Sequence, residues 1–182
     1  MWKTLRQIRR VGLVSEQPPP SDDAYRVRET LQNQILRVLG RALCIRQIDA
    51  GSCNGCELEI QALNNPLYNI EGLGIKFVAS PRHADLLLVT GPVARNMEVA
   101  LKRTYAATPD PKLVVAIGDC GCTGGIFGES YASAGRVSNV IPVNVAVSGC
   151  PPTPTQILSA ILTAVTPLAA TRAGHPVRRT EK

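Results

Sequence analysis

Two short runs of uninterrupted apolar residues constrain the fold of this chain more than any other feature. They occupy residues 85–90 (DLLLVT) and residues 112–117 (KLVVAI). Because successive side chains of a strand point to opposite faces of a sheet, a strand that is apolar throughout must be covered on both faces. Such strands are typical of parallel sheets that lie between two layers of helices.

The rest of the chain from residue 44 alternates between short apolar runs and segments with helical spacing. This alternation predicts an α/β domain of flavodoxin-like type, with an open, mostly parallel sheet and helices on both faces. Further strands are predicted at residues 44–48, 74–79 and 143–147, and helices at residues 55–63, 96–106 and 153–165.

We expect three parts: a helical arm at residues 1–43, the α/β domain at residues 44–166 and a basic, flexible tail at residues 167–182. In the arm, Trp2 and the apolar residues that follow it recur at helical spacing among basic residues. This pattern favours either an amphipathic helix on a membrane surface or partner, or an ordinary basic helix. A second arm helix would place Leu31, Ile35, Val38 and Leu39 on one face.

The net charge of +6 resides in the two ends, whereas the middle of the chain is close to neutral. A neutral middle without aromatic and basic interleaving argues against a nucleic-acid partner. Basic ends instead suit an anionic membrane surface or an acidic partner subunit. No stretch has the length of a signal peptide, and the most apolar run, residues 157–170, falls short of the ~20 residues of a spanning helix. We therefore expect a soluble or peripheral protein.

Four of the six cysteines follow predicted strands. Cys53 and Cys56 come after the first strand, Cys120 after the fourth and Cys150 after the fifth. Open α/β sheets bind their ligands outside the carboxyl ends of their strands. The topology therefore predicts that these four thiols lie together at one edge of the sheet.

Glycine-rich loops around these cysteines favour an iron–sulfur cluster at this edge. Glycines let the backbone approach a ligand closely and direct N–H groups towards it. A four-iron cluster needs four thiolates in such a pocket, and Cys150 is followed by proline, as in ferredoxin cluster motifs. The residues predict one [4Fe-4S] cluster held by the four thiols and a role in electron transfer.

Other readings of the cysteines stay open at this point. Cys53 and Cys56 alone could form a thioredoxin-like dithiol, and four cysteines could instead bind zinc in a structural adaptor. Cys122, two residues from Cys120, could replace it as a ligand, whereas Cys44 lies within a strand and is expected in the core. The two histidines, His83 and His175, are too few and too isolated for a hydrolase triad.

Two acidic residues, Glu57 and Glu59, follow the cysteine pair. Carboxylates in the first turn of a helix are favoured by the helix dipole, which explains them without any function. The alternative hypothesis is that one of them, Glu57 above all, relays protons beside the cluster.

Four motifs resemble one family of electron-transfer subunits. They are SCNGCE from residue 52, SPRHAD from residue 80, GDC from residue 118 with two glycines at 124 and 125, and GCPP from residue 149. Residues 44–166 thereby resemble the small subunits of membrane-bound, complex-I-like [NiFe] hydrogenases. This group includes formate hydrogenlyase and hydrogenase-4 types and is related to the B subunit of NADH:quinone oxidoreductase.

The resemblance implies that Cys53, Cys56, Cys120 and Cys150 bind the [4Fe-4S] cluster nearest the active site of a large catalytic subunit, and it favours Cys120 over Cys122. Further implied partners are a ferredoxin-like iron–sulfur subunit and membrane-embedded subunits, with the chain peripheral on the cytoplasmic face of the membrane. It would have no activity alone. The alternative is the cluster subunit of a nickel-free complex that reduces quinone or another acceptor.

Overall fold

The computed structural model describes residues 40–173 continuously, together with residues 2, 6, 29, 30, 33 and 35. Most of the predicted arm (residues 1–43) and the tail from residue 174 onward lie outside the described residues. Of the arm residues, Trp2 is helical and exposed, whereas Ile35 is helical and fully buried in the core.

A five-stranded sheet forms the centre of the domain. The strands follow the order β2-β1-β3-β4-β5, and each neighbouring pair is parallel. This is the order of flavodoxin-like proteins, so the predicted fold is confirmed, with a sheet that is wholly rather than mostly parallel. The strands are β1 Leu43–Asp49, β2 Ile75–Phe77, β3 Leu86–Thr90, β4 Leu113–Ile117 and β5 Val145–Val147.

Within residues 40–173, four α-helices pack around this sheet: α1 Gly55–Ala62, α2 Arg95–Ala107, α3 Gly118–Thr123 and α4 Pro154–Ala173. Apolar side chains form two core clusters, one on each face. In the first, Ile60 of α1 and Ile161 of α4 pack with Leu88 of β3. In the second, Leu101 of α2 packs with Leu87 of the same strand. The buried strands β3 and β4 are thus covered on both faces, as their apolar sequences predict.

Two helices differ from the predictions. The six-residue helix α3 was expected to be a loop because its glycine-rich sequence has low helix propensity. It forms where the chain turns at Gly118 (φ 83°) directly out of β4. The closing helix continues past Pro167 to Ala173 rather than ending near residue 165. A proline removes one backbone donor from a helix, but the Ala-rich residues after it are good helix formers.

Within the described part of the chain, no helix is both long enough and apolar enough to cross a membrane.

Burial in the core predicts that two substitutions by alanine differ clearly in their effect on stability. Leu88→Ala removes a fully buried side chain from β3 and should lower the free energy of unfolding by about 2–5 kcal/mol, because a cavity remains. Val99→Ala, at a position that is 56% exposed on α2, should change it by about 0.5 kcal/mol or less. Urea denaturation measures both values, and equal losses would contradict this account of the core.

Candidate functional site

Four cysteines from three segments of the chain line one cavity at the carboxyl edge of the sheet. Cys53 lies in the loop after β1, Cys56 in α1, Cys120 in α3 after β4, and Cys150 after β5. The cavity has a volume of about 120 Å³. The predicted convergence of these side chains is therefore observed, and it follows from the parallel direction of the strands.

A carboxylate shapes the loop that carries Cys53. Asp49 ends β1, and its Oδ1 accepts hydrogen bonds from the backbone N–H groups of Gly51 and Ser52, each at 2.8 Å. Such a turn redirects the chain out of the strand. Asn54 then adopts a left-handed conformation (φ 72°), and α1 begins with Cys56 in its first turn.

The loop after β3 packs directly against this cysteine loop. A Cβ atom placed on Gly91 would lie 2.6 Å from the backbone nitrogen of Ser52, so only glycine permits the contact. Two backbone hydrogen bonds reinforce it: Ala50 N–H donates to Thr90 O at 3.1 Å, and Ala94 N–H donates to Ala50 O at 2.8 Å.

The segments that carry Cys120 and Cys150 are joined by a reciprocal pair of hydrogen bonds. The backbone N–H of Asp119 donates to Gly149 O at 3.0 Å, and the N–H of Gly149 donates to Asp119 Oδ1 at 2.8 Å. Asp119 thereby holds the ends of β4 and β5 together beside the cavity, which its own side chain also lines.

Two glycines leave room for thiols. A Cβ on Gly118 would lie 2.6 Å from Cys56 Sγ, and a Cβ on Gly125 would lie 2.7 Å from Cys120 Sγ. Both glycines have positive φ angles, 83° and 57°. Any other residue at either position would be strained and would displace a sulfur atom.

The thiols are close enough to affect one another's ionisation. Burial, followed by the charges of Glu57 and the other three cavity thiols, raises the pKa of the Cys56 thiol to about 12. Burial, followed by Cys150 and Cys53, also raises the pKa of Cys120. A positively charged group beside Cys56 and Cys120 would favour the thiolate form of both side chains.

The remaining cysteines lie elsewhere. Cys122 lines a separate cavity of about 250 Å³, where its Sγ lies 3.8 Å from Ala116 O and burial raises the pKa of its thiol. Cys44 is half-buried in β1, with its sulfur 3.8 Å from Arg41 Nη1. His83 is in a 3-10 turn ahead of β3, and His175 is outside the described residues.

Glu57 is buried beside the cysteine pair. Its Oε1 accepts hydrogen bonds from Ser52 Oγ at 2.6 Å and from Thr90 Oγ1, whereas its buried Oε2 has no hydrogen-bond partner among the described residues. Glu57 therefore ties the cysteine loop to the end of β3, which a solvated first-turn carboxylate would not do. Glu59, two residues further along α1, is half-buried.

The sequence predicts no role at this site for Asp119, Thr90 or Phe127, although Asp119 belongs to the GDC motif from residue 118. The first two stand at strand ends beside cysteine loops, which was the available signal. Phe127 lines the cavity from a loop whose path only the folded chain reveals.

Among the described residues, no three His, Cys, Asp or Glu side chains are arranged to hold a single metal ion. The four cavity thiols instead surround a space, which a larger group could fill.

The close contact at Gly118 predicts the effect of adding one methyl group. Gly118→Ala should lower the free energy of unfolding by about 1–3 kcal/mol, because it combines a strained φ angle with a clash against Cys56 Sγ. Gly55→Ala is the matched control, because its Cβ would lie 3.6 Å from the nearest heavy atom. Replacing a helical glycine by alanine raises the free energy of unfolding by up to about 1 kcal/mol. Thermal denaturation of both variants checks this, and a Gly118→Ala protein as stable as the parent would contradict the observed packing.

Comparisons with known proteins agree with this architecture. Probable membrane-bound hydrogenase subunit mbhJ of Pyrococcus furiosus is 46% identical over 136 residues, which span 75% of this chain and 81% of that protein. Formate hydrogenlyase subunit 7 of Escherichia coli is 43% identical over 129 residues, which span 71% of this chain and 51% of that protein. A chain of the membrane-bound sulfane sulfur reductase, an archaeal respiratory membrane complex, superimposes with a TM-score of 0.59 and 32% identity, covering 81% of this chain and 78% of that one.

Residues 53–164 match the family model described as NADH ubiquinone oxidoreductase, 20 Kd subunit, and this segment begins with Cys53 and contains all four cavity cysteines. Its members include subunits of oxidoreductase complexes. The chain therefore belongs to the NADH ubiquinone oxidoreductase 20 Kd subunit family.

Proposed function

We propose that this chain is the electron-transfer subunit of a membrane-associated oxidoreductase complex and that Cys53, Cys56, Cys120 and Cys150 hold one [4Fe-4S] cluster. The observation that carries the proposal is the arrangement of these four thiols around one cavity. When bound, such a cluster accepts and releases one electron at a time.

The residues present fit this cofactor. Burial and neighbouring thiols raise the pKa values of Cys56 and Cys120, so their thiolates need a cationic partner, and iron would supply that charge. Gly118 and Gly125 leave space beside two of the sulfurs, as a bulky cofactor requires. The cavity that the four cysteines line has a volume of about 120 Å³, which has room for a group larger than a single ion.

The chain's own residues orient the thiols and restrict water. Asp119 and Glu57 hold the cysteine-bearing segments to neighbouring strand ends through the hydrogen bonds described above. Pro92, Phe127 and Pro151 line the cavity with apolar surface. Limited access of water and fixed backbone donors are the features by which a protein tunes a cluster's potential.

An exposed apolar surface that suits a partner protein adjoins the cavity at Phe127. Cys53 and Cys150 are exposed, and the neighbouring loop at residues 126–131 presents three apolar side chains. Ile126 is 93% exposed, Phe127 59% and Tyr131 98%. We call residues 126–131, which carry these three side chains, the apolar loop. One cluster can relay an electron only between a donor and an acceptor outside this chain, so a partner that covers this surface also completes the path.

We propose a hydrogenase of the nickel–iron type as the complex. In support, one relative is named as a membrane-bound hydrogenase subunit and another as a formate hydrogenlyase subunit. The apolar loop would face a large catalytic subunit. A ferredoxin-like iron–sulfur subunit and membrane-embedded subunits would complete the assembly, with this chain peripheral on the cytoplasmic face. The cluster-binding domain predicted at residues 44–166 would extend from Leu43, where β1 begins, to Ala173, where α4 ends, with Ile35 of the arm packed in its core. The rest of residues 1–42 would form the arm, and residues 174–182 the basic tail.

A second candidate is a nickel-free complex that reduces quinone or another acceptor. The match to a chain of the sulfane sulfur reductase complex favours it, as does the family model itself. The neighbouring large subunit distinguishes the two: two Cys-x-x-Cys pairs near its ends indicate a nickel site, and their absence favours the second candidate.

The role of Glu57 as a proton relay stays a prediction. Its burial and its Oε2 atom without a partner agree with that role, whereas its two hydrogen bonds through Oε1 agree equally with a purely positioning role.

Cofactor analysis of two cysteine variants tests the proposed ligand set. The protein purified anaerobically should contain about four iron and four sulfide per chain, with a cluster signal by low-temperature EPR after reduction. Cys120→Ser should lose most of this iron because it removes a ligand. Cys122→Ser, two residues away in the separate cavity, should retain it.

About one zinc and no sulfide per chain would overturn the cluster assignment. Loss of iron in the Cys122 variant alone would overturn the choice of Cys120.

The apolar loop predicts an assembly defect. Tyr131→Glu should reduce copurification of the large subunit about tenfold or more, because an apolar contact at an interface centre contributes about 1–4 kcal/mol and a buried charge costs more. Val99→Glu is the control, since Val99 is exposed on α2 and does not line the cavity. Iron content should stay normal in both variants, and normal assembly of the Tyr131 variant would reject the proposed contact.

A further inference from the structure

A larger cavity lies beside α1. Its volume is about 350 Å³, and it is bounded by residues 46 and 47 within β1, the C-terminal part of α1 and the chain that leaves β2. Its polar lining consists of Arg46 and Gln47 of β1, Gln61 of α1 and Asn64 just after it. None of the four thiols lines it.

The cavity wraps around the edge of a strand. Arg46 and Gln47 are consecutive residues of β1, so their side chains point to opposite faces of the sheet. Both nevertheless line this one cavity. A space that touches both faces can only lie alongside the edge of β1.

This edge of β1 is open because its neighbour ends early. The pairing of β1 with β2 stops at Ile45 and Phe77, and the last bond between them is donated by Val78 N–H to Ile45 O at 2.9 Å. Backbone N–H and C=O groups point to alternate sides of a strand from one residue to the next. The N–H and C=O of Gln47 therefore point to the same side of β1 as those of Ile45, which is the side that β2 occupies. Within the described chain, no backbone bond joins Gln47 to the residues after Phe77.

The side chains around this edge also lack partners. Arg46 is half-buried and makes no ion pair or hydrogen bond within the described part of the chain, unlike Arg41, which pairs with Asp85. The carboxamides of Gln47, Gln61 and Asn64 make none either, although all three line the same space. One guanidinium, three carboxamides and an open strand edge are the groups that recognise an extended peptide with a carboxylate.

We propose that this edge binds a short extended segment of a partner subunit, which adds to the sheet beside Gln47 and places an acidic side chain against Arg46. The inference rests on the proposed function only in that the partner is a subunit of the same complex. Residues 1–14 and 167–182 of this chain are poor candidates for the site, because their net positive charge would face Arg46. Residues 15–23, which carry Glu16, Asp22 and Asp23, are the competing occupant, and crosslinks from the site to this chain would identify them. A strand added here would lie against α1, the helix that carries Cys56, and would fix that helix in the assembled complex.

Site-specific crosslinking in the intact complex tests the proposal. A benzophenone amino acid replaces Gln61, or Arg103 of α2 as the control, in the tagged chain purified with its partners. From position 61 we expect crosslinks to one segment of a copurifying subunit that contains Asp or Glu. The amide of Gln47 should exchange at least tenfold more slowly in the complex than in the isolated chain, as a strand hydrogen bond requires. Crosslinks from position 61 only to this chain or to lipid, or none at all, would overturn the proposal, as would unchanged exchange.

Charge reversal gives a second readout. Arg46→Glu should reduce copurification of that subunit about tenfold or more, whereas Arg103→Glu, the same change on the other face of the sheet, should leave it within about twofold. Equal effects would refute a specific role for Arg46. Iron content of the isolated variants separates this test from the proposed function: a chain without iron refutes the cluster, and a chain with normal iron but unaltered assembly in Arg46→Glu refutes only the strand-edge site.

Discussion

The parallel direction of five hydrogen-bonded strands is the constraint on which the rest of this structure depends. Every strand ends at the same edge, so the segments that leave β1, β4 and β5 are brought together although they are far apart in sequence. The register between β1 and β3, in which Asp49 pairs with Thr90, brings the cysteine loop against Gly91. Burial of both faces of β3 and β4 makes this register costly to change, because a slip by one residue would reverse every side chain.

At this edge of the sheet, the polypeptide holds four cysteine thiols, which repel one another when they are ionised. Burial and mutual repulsion keep the thiols of Cys56 and Cys120 protonated in the protein alone. The supporting contacts are directed at the segments rather than at the sulfurs, since Asp119 binds the backbone of Gly149 and Glu57 binds Ser52 and Thr90. Such an arrangement would preorganise the four thiols for the cofactor proposed above. Two further features of the described residues, the exposed apolar loop and the open edge of β1, agree with membership in a family that includes subunits of oxidoreductase complexes.

The elements that sequence predicted well are those whose pattern is independent of the rest of the fold. Residues 85–90 and 112–117 could be only buried strands, and they are β3 and β4. The helix α3 could not be predicted, since glycine and cysteine give no periodic signal and the helix forms because β4 delivers the chain to a turn at Gly118. The closing helix is longer than predicted, because the helix continues through Pro167 into the Ala-rich residues that follow it. Spacing alone could not show that Cys120 and Cys122 line different cavities. The side chains of two residues that stand two apart in a loop have no fixed relative direction, whereas the helix α3 directs them into separate cavities.

By itself, the sequence determined the α/β class, the edge at which Cys53, Cys56, Cys120 and Cys150 meet, and the resemblance that led to the family. These follow from hydrophobic periodicity and from the rule that parallel strands share their carboxyl ends, both of which are local or topological. Only the tertiary structure decided the buried position of Glu57, the link between Asp119 and Gly149, the close approach of Gly118 to Cys56, and the open edge beside Gln47. Each depends on contact between segments distant in the chain, and such contacts arise from packing that no local pattern encodes.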